Sequence, residues 1–93
     1  MQALDKTAAR ALKVILDGQP LSPAKIAFAW RMAAGPTLAA ATTVRWSEGR
    51  LHVRARTESW RREVIRARPM VLARLREMVG ADVVRSMEID GAV

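Results

Sequence analysis

The chain has 93 residues, half of them apolar, with only four aromatics and no cysteine. That is enough for one domain and not two, and it excludes disulfides and cysteine-ligated zinc. The formal net charge of +7 favours polyanionic partners: nucleic acid, an acidic protein face or an anionic membrane.

Charged residues Asp5, Lys6, Arg10, Lys13 and Asp17 interrupt the first 18 positions, so these lack the apolar core of a signal peptide. No apolar run approaches the ~20 residues that span a bilayer. The expectation is a soluble cytoplasmic protein, with no membrane partner, in a reducing compartment.

Leu4, Ala8, Ala11, Leu12 and Ile15 recur at helical spacing and predict a helix over about residues 4–17. Gly18 and Pro20 end it, and "GQPLSP" reads as a short linker. Ser22-Pro23 is an N-cap followed by proline at the first helical position. The second helix carries Ile26, Trp30 and Ala33 on its apolar stripe and stops at Gly35-Pro36. "PTLAAATT" has room for one more turn.

"TTVRWSEGRLHVRART" predicts a hairpin. With Glu48-Gly49 as a two-residue turn, Trp46 lies opposite Leu51 and Val44 opposite Val53. Polar residues then oppose polar ones: Ser47 with Arg50, Arg45 with His52, Thr43 with Arg54. A one-residue slip would destroy that match. A bulged turn is the alternative, since Asn-Gly or Asp-Gly is the stronger pair. One face is core (Val44, Trp46, Leu51, Val53, Ala55), and the other carries Arg45, Arg50, His52, Arg54 and Arg56.

From Glu58 to Val79 the period is helical again, with Trp60, Val64, Ala67, Val71, Leu75 and Met78 on one stripe. Pro69 cannot continue a regular helix, so two helices are expected, about 58–67 and 69–79, meeting at "RARPM". Gly80 ends the second. "VVRSMEI" reads as a final strand parallel to the middle one. The fold class is therefore α+β. A three-stranded mixed sheet has helices packed on one face, in the order α-α-β-β-α-α-β.

Without its first helix, this order resembles that of a type II KH domain. Residues 1–19 would then be an N-terminal helical extension and 22–90 the KH-like domain. The ordered elements also resemble the DciA family of bacteria. They are Trp30 with Gly35, the run Gly49-Arg50-Leu51-His52-Val53, and Ser59-Trp60 opening a basic helix. The stretch from Leu72 to Gly80 and the strand from Val84 to Ile89 complete the set, over about residues 22–90. Met87 stands where the family has a branched residue. The resemblance implies a loader of the bacterial replicative helicase, which engages the hexameric helicase, binds DNA and helps place it on single strands. It also implies a long flexible basic extension beside the core. Here the N-terminal helix is the addition to the core that the sequence leads one to expect.

Trp30, Trp46 and Trp60 are expected in the core. For Trp60, the place on the Val64–Val71–Leu75 stripe weighs against an exposed ring on which a base could stack. For Trp30, contact with the helicase is the alternative. The candidate nucleic-acid-binding residues are Arg45, Arg50, Arg54 and Arg56 on the sheet face. Arg61, Arg62, Arg66 and Arg68 are expected to cluster at the junction of the last two helices. A KH domain carries a GXXG loop at that junction, whose glycines let the backbone meet four nucleotides. Ala67-Arg68-Pro69-Met70 cannot offer that approach, so contacts would run through side-chain charge to phosphates. The sheet face has no aromatics, unlike that of an RRM. His52 has no second histidine or cysteine, so no metal site is expected. The carboxylates form no spaced pair beside a nucleophile, and no glycine-rich phosphate loop follows a strand. Catalysis and cofactors are not expected. The expected partners are the helicase and single-stranded nucleic acid. The alternatives are a general RNA-binding KH-like module in RNA processing or ribosome assembly, and a protein-interaction adaptor.

Overall fold

Strands β1 (Thr42–Ser47) and β2 (Arg50–Ala55) pair antiparallel, with Trp46 opposite Leu51, Val44 opposite Val53 and Ser47 opposite Arg50. This is the register that the alternating pattern predicts. The connection is a two-residue turn with positive φ at both positions, 50° at Glu48 and 81° at Gly49. That geometry matches the twist of the flanking strands, which is why the ladder needs no bulge. Strand β3 (Ser86–Ile89) lies parallel to β2, placing Met87 beside Leu51 and Ile89 beside Val53. The sheet order is β1-β2-β3.

The computed structural model describes residues 6–90, and the expected helix start at residue 4 lies outside them. Helix α1 spans Lys6–Leu16, α2 Pro23–Ala34, α3 Pro36–Ala40 and α4 Glu58–Val79. Ser22 caps α2, its Oγ accepting from the Lys25 amide at 3.1 Å, and Pro23 takes the first helical position. Gly35 joins α2 to α3 with φ of 89°, a conformation that disfavours any side chain. The short α3 is the extra turn for which "PTLAAATT" has room.

Helices α2 and α4 pack on one face of the sheet, and α1 packs against α4. The core joins Leu51, Val53 and Met87 from the sheet to Ile26, Trp30 and Ala33 from α2. Val64, Val71, Leu75 and Met78 supply the α4 side, and Ala9 and Leu16 bring α1 into the same cluster. The fold is thus α+β, with a mixed three-stranded sheet.

One expectation is overturned. The break at "RARPM" does not exist, because α4 runs unbroken through Pro69. Proline removes one main-chain hydrogen bond and crowds the preceding turn. Here Pro69 is exposed, so water can reach the carbonyl it leaves free. Val64, Val71, Leu75 and Met78 keep one helical phase across the proline, and all four are buried. Burying a large apolar side chain is worth ~1.5–3 kcal/mol each, enough for packing to override the local break.

The three tryptophans do not share a role. Trp30 is 3% exposed and lies inside the core cluster. Trp46 is partly buried against that cluster and donates its indole N–H to the Val83 carbonyl at 2.7 Å. Trp60 is half-buried and belongs neither to the cluster nor to its packed surround. Helical periodicity reports which face a residue shares, not how far along the axis that face is covered. Trp60 sits one turn before Val64, the first α4 residue of the core.

Candidate nucleic-acid interface

Alternation along the strands decides which side chains leave the sheet. On β1, Thr43, Arg45 and Ser47 are exposed. On β2, Arg50 and Arg54 are exposed and His52 is half-buried between them. The register sets Arg45 opposite His52 and Thr43 opposite Arg54. On its other side His52 pairs with Glu88, and Arg50 approaches Glu88 at 3.9 Å. Arg56 follows the last residue of β2 and is exposed, its amide donating to the Ala41 carbonyl at 2.9 Å.

A shallow depression of about 250 Å³ lies on this face, lined by Thr43, Val44, Arg45, His52, Arg54 and Asp90. Its lining includes two arginines, a histidine and an aspartate. Among the described residues, Arg45, Arg54 and Arg56 form no ion pair and no side-chain hydrogen bond. Like charges set side by side repel, and an anion between them relieves that repulsion. The face has no Phe, Tyr or Trp, and its one imidazole is half-buried, so it is better suited to phosphates than to stacked bases.

The arginines of α4 are arranged differently from the expected cluster. With the helix continuous, Arg61 and Arg68 share one ridge. Arg62 and Arg66 share another, roughly 100° or more around the axis. Arg61 Nη1 lies 3.4 Å from Glu58, and Arg66 pairs with Glu63. Exposed pairs of this kind contribute ~0–1 kcal/mol and yield readily to a phosphate. Arg62 and Arg68 have no carboxylate partner among the described residues. The Arg61 Nε is buried without an acceptor. A continuous α4 also leaves no interhelical loop where a KH domain carries its GXXG element.

Three further arginines are structural, and the sequence carried no sign of it. Arg74 donates to the Ala33 carbonyl at 3.3 Å, tying α4 to the end of α2. Arg76 donates to the carbonyls of Val84, at 3.0 Å, and Arg85, closing the loop before β3. Arg85 donates to the Glu48 carbonyl at 2.7 Å and so pins the hairpin turn. On α1, a hydrogen bond from Lys13 to Asp17, together with the Asp17 charge, holds the ammonium above its ordinary pKa. Both side chains are exposed and stand apart from the sheet face.

Among the described residues no group of three or more histidines, cysteines or carboxylates could hold a metal ion. No helix there is long and apolar enough to cross a membrane. No curated protein matches the chain, and no solved structure does. One family model matches residues 3–89, nearly the whole length, under the description "Dna[CI] antecedent, DciA". The match takes in α1 as well as the sheet and α4, and with it the chain belongs to the DciA family.

Proposed function

We propose that this protein is an accessory factor of the bacterial replicative helicase, which it engages together with single-stranded DNA during the initiation of replication. Family membership supports a helicase-loader type of role in DNA replication. The observation that carries the DNA-binding part is the open sheet face. There Arg45 and Arg54 line a shallow depression together with Asp90 and form no ion pair among the described residues, and Arg56 extends the row toward α4. Arg50, Arg61, Arg62, Arg66 and Arg68 add to the positive field around it.

Binding of this kind is led by phosphates, tolerant of sequence and sensitive to salt. The action is binding and not catalysis, and it needs no cofactor. Residues 22–90 form the binding unit, and the N-terminal helix extends it. The cytoplasm is where such a factor would work. The unbroken α4 weighs against the RNA-binding KH alternative, because the loop which would grip the RNA backbone has no place in it.

Two measurements on the same preparation test the proposal. Capture of the host's hexameric helicase by the immobilised protein tests the partner. Titration of a labelled oligo(dT) over a salt series tests the nucleic acid. Four phosphate contacts on a single strand predict a slope of about −3 in log K against log salt. A flat salt response rules out the phosphate-contact picture, and failure to capture the helicase rules out the loader role.

A further inference from the structure

The half-buried indole on α4 stands apart from the other two. Each of the other two tryptophans packs in or against the core and places its N–H on a protein acceptor. Trp30 donates to Thr42 and Trp46 to the Val83 carbonyl. Trp60 has neither feature: it lies outside the core cluster, and among the described residues its indole N–H has no partner.

The chain on either side of the ring is rich in arginine. Arg56 lies four residues earlier, within about 15 Å along the chain, and its side chain has no partner among the described residues. Arg61 follows immediately, with its buried Nε lacking an acceptor. The nearest acids, Glu58 and Glu63, are engaged by Arg61 and Arg66. A protein-binding hot spot would set such a ring among other exposed apolar groups. On α4 the exposed apolar side chains are Ile65 and Met70. They stand roughly 140° and 80° around the axis from Trp60, so they form no patch with it.

We propose that Trp60 is a stacking platform for one base of a single strand whose backbone follows Arg54 and Arg56 off the sheet face. The inference rests on the proposed function and adds to it a contact that reads unpaired bases. The sheet face meets phosphates and has no Phe, Tyr or Trp. Trp60 supplies the ring and makes the surface prefer single strands, whose bases are free to stack.

The test compares oligo(dT) with an abasic strand of equal length and charge, bound by the wild-type protein, Trp60→Ala and Trp60→Phe. The wild type should bind the abasic strand about five- to a hundred-fold more weakly than oligo(dT). Trp60→Ala should lose a similar factor on oligo(dT) and no longer distinguish the two strands, and Trp60→Phe should recover part of the loss. Thermal melting checks that the variants fold. The wild-type comparison of the two strands stands even if Trp60→Ala does not fold. Equal wild-type binding of both strands overturns the proposal, and so does unchanged oligo(dT) binding by Trp60→Ala. If binding remains salt-dependent in either case, the phosphate-led function survives and only the stacking role fails. Loss of helicase capture by Trp60→Ala with oligo(dT) affinity intact makes the ring a protein contact instead. No binding of oligo(dT) by the wild type removes both readings.

Discussion

The Trp30 indole N–H donates to the Thr42 hydroxyl at 3.0 Å, and that hydroxyl in turn donates to the Leu38 carbonyl at 2.9 Å. One buried side chain at the start of β1 thereby joins α2, α3 and the sheet. Thr42→Val keeps the shape and removes the acceptor, stranding a buried donor. The expected cost is ~1–3 kcal/mol. For a domain of this size that lowers the melting temperature by about 4–8 °C per kcal/mol. Thr42→Ser keeps the hydroxyl and should cost less, so thermal melts of the two variants separate the hydrogen bond from the methyl contact.

The hairpin turn is strained at one residue and demanding at the next. Glu48 holds φ at 50° and Gly49 at 81°, while Arg85 grips the Glu48 carbonyl. A left-handed conformation costs an ordinary L-residue ~1–2 kcal/mol, and asparagine much less. Glu48→Asn should therefore raise the melting temperature by a few degrees. Gly49→Ala should lower it, since its Cβ meets both the φ constraint and the Arg85 guanidinium. The reverse ordering of the two melts would mean a different turn.

Some of the fold was legible in the sequence and some was not. The hairpin was readable because pairing is a period-two constraint, and Val44, Trp46, Leu51 and Val53 satisfy it in one register only. The caps at Ser22 and Gly35 are local chemistry, visible over four residues. Pro69 misled because its rule is local, whereas the decision was made by burial along the whole of α4. Trp60 is half-buried and lies beyond the core cluster, because periodicity gives a face and no axial limit. The arginines divided the same way. Exposure on the sheet follows from alternation, but nothing local reveals that Arg74, Arg76 and Arg85 reach back to main-chain carbonyls 8 to 41 residues away.

Pro69 within α4 leaves the Ile65 carbonyl without its helical donor. Pro69→Ala restores that donor in a segment already helical on both sides. An interior proline costs ~3 kcal/mol. Part of this is absorbed by local bending, and ~0.4–1 kcal/mol is returned by the stiffer unfolded chain. The expected net stabilisation is about 1–2 kcal/mol, read as a higher denaturation midpoint at an unchanged slope. A lower midpoint would mean that the helix breaks at residue 69 after all.

Arg54 and Arg76 carry the same charge and should respond oppositely to removal. Arg54 is exposed, lines the sheet-face depression, and its side chain has no partner among the described residues. Arg76 holds the Val84 and Arg85 carbonyls ahead of β3. Arg54→Ala should leave the melt unchanged and weaken oligo(dT) binding, with the salt slope reduced by about 0.7 for one lost contact. Arg45→Glu together with Arg54→Glu should remove two contacts and reduce it by about 1.4. Arg76→Ala should lower the melting temperature instead, because it abandons carbonyls that the fold holds with hydrogen bonds from a charged group, worth ~1.5–3 kcal/mol each. If both single variants weaken binding equally and neither melts early, net charge alone governs the interaction. The sheet face then has no special claim on the strand.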